Sequence, residues 1–406
     1  MKKQEYTDLD TIIYIVGIMA ISLKALISFS DLLQWVPSIV HSALGGMFIV
    51  CMVIKFARQR YIVKYVLGIG FLGICCLFTY MSARYYYLLS TFFCLIALQD
   101  VDIKKVLQIS SKFKAVFLAV HFVIYELVVI VAPAYATYSY RSGVGEPRHT
   151  YFMSHANTVT MYIVWTSLEY IYCTYEKLTM QKLLGIWLIN FISHYFTDSN
   201  TGFIVATFVT IFIICDKYKK ETIMKLVHLG ARYGFLMCSV IFNLMIVSYT
   251  SLSGPLLELF HKIDDFFTGR LLYGAVTYDL KGCTLMGRIL YFDKKTYWLG
   301  HWFDTITCDN TYVWFFVCYG MLYIILLSFA FWWIGKKTTN IEKIMIFSYV
   351  FYAAMENYVI NVVFCFPLFL IGKYVFLSQK EFMVKRKDHK RKGRLKCVKK
   401  RSVLGG

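Results

Sequence analysis

The sequence predicts an all-α fold: a polytopic integral membrane bundle of about twelve transmembrane helices with one large extracytoplasmic loop. Three observations predict it. Apolar residues make up 58 % of the 406 residues and charged residues 17 %, where ordinary globular domains carry about 25 % charged residues. The mean hydropathy is +0.57 and is concentrated in runs of about 20 residues, the length that crosses a bilayer core. Lys and Arg gather in alternate connections between those runs, as the positive-inside rule requires.

Taken in order, the expected helix cores are 11–29, 37–56, 62–80, 84–99, 115–134, 157–175, 183–197, 201–215, 228–250, 311–335, 341–355 and 358–377. The first run, from about Thr11, has no small-residue cleavage site after it and reads as a retained helix. Placing both termini in the cytoplasm puts 31 of the 43 Lys and Arg on that side, a strong and consistently alternating bias. The division is a transmembrane domain over 1–378, with its outer loop at 251–310, and a basic cytoplasmic tail over 379–406. Pro37, Pro133, Pro147 and Pro255 fall in loops or near helix ends, where a missing N–H costs least. No internal or inverted repeat stands out.

The net charge of +19 is unevenly spread. From Gln379 to Gly406 there are twelve Lys/Arg against Glu381 and Asp388. A basic stretch directly after a membrane helix marks the cytoplasmic side and suits anionic lipid, so nucleic acid is not an expected partner. The cysteines are scattered, mostly through apolar runs, with no CxxC pair, and no metal site or other cofactor is expected. Cys283 and Cys308 share the large loop and are candidates for a disulfide, but loop mates need not meet. Charges inside spans are costly; Lys24, His121, Glu126, Glu169 and His194 are the cases, and Lys24 and Glu126 are a candidate pair.

The large loop carries Arg270, Arg288, His301, Asp304 and Asp309. Within it Leu256, Leu257, Phe260, Ile263, Phe266, Phe267 and Leu271 recur at helical spacing after Ser253 and Pro255. That pattern predicts an amphipathic surface helix capped at Ser253, delivering Thr268-Gly269-Arg270 at its far end. Three further polar clusters share the outer face: Arg148 to Asn157, Thr197 to Gly202, and Glu356-Asn357-Tyr358 with Asn361. A chemistry that needs this set is displacement of a lipid diphosphate by a sugar hydroxyl. Guanidinium groups answer the charge gathering on the leaving diphosphate. A carboxylate or imidazole takes the hydroxyl proton, and Asn, Ser, Thr and Tyr suit sugar hydroxyls. No Gly-rich phosphate loop or DxD-like motif points to a nucleotide sugar.

At these residues the sequence resembles the Wzy-type repeat-unit polymerases of bacterial surface polysaccharides, within the O-antigen ligase and polymerase superfamily. The resemblance runs from about 140 to 370. It rests on Arg148 followed by His155-Ala156-Asn157, on Thr197, Ser199, Thr201 and Gly202, on Gly269-Arg270, on Asp309-Asn310-Thr311-Tyr312 with Tyr319-Gly320 after it, and on the late Glu356 and Asn361. The chain departs from the pattern at Phe152, Ala156 and Asn200, which stand where relatives have glycine, proline and arginine. The resemblance implies a glycosyltransferase of the bacterial cytoplasmic membrane, extending polysaccharide between undecaprenyl-diphosphate-linked oligosaccharides on the outer face. It implies membrane lipid, a flippase and a chain-length regulator as partners. It implies a base at Asp309, with His155 or His301 as runners-up, diphosphate binding by Arg148 and Arg270 with Arg288 behind them, and positioning by Asn157, Ser199, Asn310, Tyr312 and Glu356. The competing expectations are a lipid-linked oligosaccharide flippase, which needs a cationic cavity open to both sides, and a ligase moving finished polymer to another acceptor.

Overall fold

A computed structural model describes residues 8–140, 147–292, 295–303 and 306–382; Asp304 and most of the basic tail lie outside them. The described chain is all-α apart from two short hairpins. Its helices are α1 (Asp8–Phe29), α2 (Ser38–Ala57), α3 (Val63–Ala83), α4 (Tyr87–Ile96), α5 (Ile103–Val131), α6 (Ala156–Thr174), α7 (Met180–Thr197), α8 (Asn200–Lys217) and α9 (Glu221–Ser248). There follow α10 (Pro255–Phe266), α11 (Arg270–Lys281), α12 (Thr311–Trp314), α13 (Met321–Ile334), α14 (Asn340–Met355) and α15 over 367–382. Strands β1 (Tyr138–Tyr140) and β2 (Pro147–His149) pair antiparallel, as do β3 (Thr296–Trp298) and β4 (His301–Phe303).

Among the described residues six helices are long and apolar enough to cross a membrane: α1, α2, α3, α5, α8 and α9. Their outward faces are apolar, with Leu67 70 % and Ile130 77 % exposed. Such surface is a liability in water and ordinary in lipid, so the chain reads as membrane-embedded. The centre is formed by α6 and α14, which are buried nearly all round, as an all-round apolar helix in a core must be. Small residues let helices close in. A Cβ on Gly230 of α9 would lie 2.1 Å from the Phe347 ring of α14, and one on Gly202 of α8 would lie 2.4 Å from Thr160 Cγ2 of α6.

Two expected spans are interrupted. The run expected as one helix over 311–335 forms α12, a π-helical turn at Phe315–Tyr319 and then α13, parted at Gly320 with φ +117°. The segment 284–288 runs along this break. The amides of Thr284 and Arg288 donate to Phe316 O and Cys318 O, and Met321 N donates back to Thr284 O at 2.9 Å. Gly320 is required there, since a Cβ would fall 2.2 Å from Leu285 O. The run over 358–377 becomes a 3-10 turn at Tyr358–Ile360, an irregular buried stretch, and α15 from Pro367. Freed carbonyls in a bundle must find donors. Thr91 Oγ1 reaches Ile360 O, and Lys114 Nζ reaches both Val363 O at 2.5 Å and Glu169 Oε1 at 2.6 Å.

The expected large loop is folded. α10 is the amphipathic helix, but its N-cap is Gly254 at φ +57°, not Ser253. It exposes Leu256, Leu259 and Phe266 and buries Phe260 and Asp264. Thr268 and Gly269, both at positive φ, turn the chain into α11, an unexpected helix. α11 packs Gly274 against Val313 and Ile246, and its first amides, Leu271 N and Leu272 N, are taken by Asp264 Oδ1 at 2.8 and 3.1 Å. Cys283 is exposed and Cys308 buried, and both are free thiols. Lys24 sits over the Tyr86 ring at 4.8 Å while Glu126 is exposed, so the two do not form the candidate pair.

Candidate functional site

A cavity of about 1560 Å³ lies where the folded loop meets the bundle. Its floor comes from residues around the starts of α6 and α8: Arg148, His155, Asn157, Ser199, Asn200 and Thr201. Its roof comes from α10, the start of α11, β3–β4 and the approach to α12, with Thr268, Arg270, His301, Trp302 and Asp309. Four helices therefore begin at one cavity. Each N-terminus carries about half a positive charge and unsatisfied amides. The α12 end is spent internally, because Asn310 Oδ1 accepts from Tyr312 N and Val313 N. α8 has no side-chain cap.

Arg148 is held rigidly. Its Nε donates to Thr197 O at 2.7 Å, and its Nη2 donates to Asn157 Oδ1 at 2.8 Å and Asp198 O at 3.1 Å. Asp198 has the left-handed conformation, φ +46°, which ends α7 and turns these carbonyls toward the cation. A guanidinium at a helix C-terminus is well placed electrostatically. The Thr197–Gly202 turn thus acts as the cradle of Arg148, a role that motif spacing did not show.

Arg270 is more loosely engaged. Its Nη2 donates to Glu356 Oε1 at 3.0 Å, its Nη1 to Phe267 O at 3.2 Å and to Thr268 Oγ1, and its buried Nε has no partner among the described residues. Glu356, 3 % exposed, stands behind the wall and not in the cavity lining. Its Oε1 also receives Asn157 Nδ2 and Thr201 Oγ1, each at 3.4 Å. Asn157 and Glu356 therefore join the two arginines into one frame, Arg148–Asn157–Glu356–Arg270. Burial pushes the Glu356 carboxyl up to about 8, against the pull of Arg270 and with help from the neighbouring charge of Asp309.

Asp309 lines the cavity and makes no hydrogen bond among the described residues. Burial raises its carboxyl above the ordinary Asp range, while Arg270 and His155 pull it back. The His155 ring lines the cavity, and its Nδ1 accepts from Asn157 N at 3.1 Å, so the neutral ring carries its proton on Nε2. Enclosure, then the charge of Arg148, holds His155 below the usual histidine range. A carboxylate without donors beside a neutral imidazole is suited to taking a proton from a hydroxyl.

Of the residues expected to form a site, the cavity thus brings together Arg148, His155, Asn157, Ser199, Arg270, His301 and Asp309. It does not bring in four others: Glu356 behind the wall, and Arg288, Asn310 and Tyr312. Arg288 braces the chain before the Gly320 break, donating to Lys281 O and Cys283 O. Asn310 caps α12 and also donates to Ala354 O at 2.9 Å. Tyr312 is wholly buried and donates to Val350 O at 2.8 Å. Residues that sequence reasoning missed are the capping Asp264 and the aromatic roof of Tyr249, Tyr273, Trp298, Trp302 and Phe303. Trp298 stacks on Tyr249 with centroids 5.5 Å apart and donates to Asp279. Among the described residues no group of three or more His, Cys, Asp or Glu is placed to hold a metal ion. No protein-family model matches the chain, and no curated protein or solved structure matches it.

Proposed function

We propose that this chain is a membrane glycosyltransferase that polymerises a bacterial surface polysaccharide, capsule, exopolysaccharide or O-antigen. In this reading, it transfers a growing glycan from undecaprenyl diphosphate onto the terminal sugar of the next lipid-linked repeat. The observation that carries the reading is the convergence of Arg148, His155, Arg270 and Asp309, from three separate stretches of sequence, on one cavity at which four helices begin. This reading takes the chain across the membrane twelve times, counting α12–α13 as one crossing and residues 358–382 as the last. The termini lie in the cytoplasm and the cavity opens outside. The Lys/Arg distribution supports that orientation, and the resemblance in motif order supports the enzyme class.

The acceptor hydroxyl loses its proton to Asp309 as its oxygen bonds to the anomeric carbon of the donor sugar. The anomeric C–O bond to diphosphate breaks and its electron pair leaves with the phosphate. Arg270, which lines the cavity, and the uncapped start of α8 meet that charge. Arg148 holds the Thr197–Gly202 turn in place and adds its field. His301, His155 and the aromatic roof face the sugars. A flippase that supplies the lipid-linked repeat and a regulator of chain length complete the reaction's surroundings.

The test is purified protein in liposomes given one lipid-linked repeat unit, without nucleotide sugar. A ladder of longer lipid-linked products is expected. Movement of the repeat across the bilayer with no ladder assigns a flippase instead. Arg270→Ala and Asp309→Asn variants that both keep the product length would show that the cavity is not the active site.

A further inference from the structure

Glu356 is the buried carboxyl next to the cavity that the proposed reaction does not use. It sits one layer behind the cavity, and its carboxyl meets side chains from three helices around it. Arg270 comes from α11, Asn157 from α6 and Thr201 from α8. Asp309, ahead of α12, and Tyr352 and Tyr358 on its own segment are felt electrostatically. Arg148 reaches it through Asn157. Arg270 is thus shared: its Nη2 bonds Glu356, while the residue also lines the cavity and meets whatever fills it.

We infer that Glu356 takes up a proton when a diphosphate docks on Arg270, releasing the guanidinium from an internal partner to the ligand. The inference rests on the reading of the cavity as a diphosphate site. Without ligand, the Arg270 bond favours the carboxylate and opposes the burial that favours the acid. A docked diphosphate competes for Arg270 and adds negative charge nearby, and both changes favour the protonated form. The proton comes from solvent and no other bond changes; Thr201 Oγ1, which donates to the carboxylate, accepts from the acid. Glu356 is then a positioning residue that makes anion binding proton-linked.

The sign follows. Burial places the Glu356 carboxyl at about 8. Below that pH it is already protonated and binding is at full strength. Above it each binding event must recruit a proton, and affinity weakens by up to about tenfold per pH unit.

The test uses the full chain in nanodiscs and a short-chain prenyl diphosphosugar, whose diphosphate keeps a constant charge across this range. Calorimetric titration at pH 8.5, in non-phosphate buffers of high and low ionisation heat, counts the protons exchanged. The expected result is about one proton taken up per ligand, none in Glu356→Gln, and an affinity that no longer depends on pH in that variant. An infrared difference spectrum of the natural protein, independent of how the variant folds, is expected to gain a carboxylic-acid C=O band on binding. Binding with no proton uptake and no such band overturns the inference and leaves the diphosphate site standing. Uptake that persists unchanged in Glu356→Gln overturns it as well. Absence of binding overturns both this inference and the reading it rests on.

Discussion

Asp309→Asn separates catalysis from stability. The Asp309 side chain makes no hydrogen bond among the described residues, so the amide breaks no bond there. Its carboxyl is also raised in the folded state by burial. A group whose acid form is favoured by folding weakens the folded state once it ionises, above its unfolded pKa. At neutral pH the variant should therefore melt at the same temperature as the natural protein or slightly above it. The rate should behave otherwise. A positioned general base contributes about 10²- to 10⁴-fold, equivalent to about 2.7–5.5 kcal/mol of barrier at 1.36 kcal/mol per tenfold. In the liposome assay, kcat should fall by at least about a hundredfold. The acidic limb of the pH–rate profile should flatten, because the natural enzyme gains rate as Asp309 deprotonates. A variant that keeps more than about a tenth of the rate, or keeps the acidic limb, refutes Asp309 as the base. One that loses activity only together with its melting transition refutes the claim that the side chain is structurally idle.

Four other outcomes are expected. Asn157→Ala should raise the KM for lipid-linked donor about thirtyfold, equivalent to about 2 kcal/mol, because it leaves Arg148 and Glu356 each short of a partner; steady-state kinetics reads it. Gly202→Ala should lower the melting midpoint through a clash costing about 1–3 kcal/mol, and Thr160→Ser in the same chain should recover it, since the serine lacks the Cγ2 that lies 2.4 Å from the new Cβ. Lys114→Met should cost about 3–5 kcal/mol by stranding the buried Glu169 carboxylate, and adding Glu169→Leu should restore most of the loss in denaturant unfolding. A membrane-impermeant maleimide should label exposed Cys283 on intact spheroplasts and spare buried Cys308; labelling of Cys283 only after permeabilisation would invert the proposed topology.

The legible parts were those with a local cause. Long apolar runs located α1, α2, α3, α5, α8 and α9, and the 3.6-residue period located α10 within the loop. Arg148, Arg270, His155 and Asp309 were legible as a group, because the topology read from Lys and Arg put their segments on one face. The unread parts depend on partners distant in sequence. Nothing in the apolar run 311–335 shows that its carbonyls bond to 284–288; Gly320 was visible, but its φ was not. α11 escaped because its first amides are capped by Asp264, five residues before its cap position. Asn310 was readable and misassigned. An Asn directly before an apolar helix is an N-cap by its chemistry, and here that use takes it out of the cavity.

The break at Gly320 orders events during synthesis. The carbonyls freed between Phe316 and Cys318 are satisfied by amides at Thr284 and Arg288, which leave the ribosome about thirty residues earlier. At about 5–20 residues per second, that is a lead of roughly two to six seconds. The donor segment is thus made before the stretch that needs it, and the π-helical turn between α12 and α13 has a docking strip waiting as it emerges. A chain lacking 284–288 would deliver the same apolar run with its polar backbone open to lipid. Its fate would then be decided by membrane quality control, ahead of any question of catalysis.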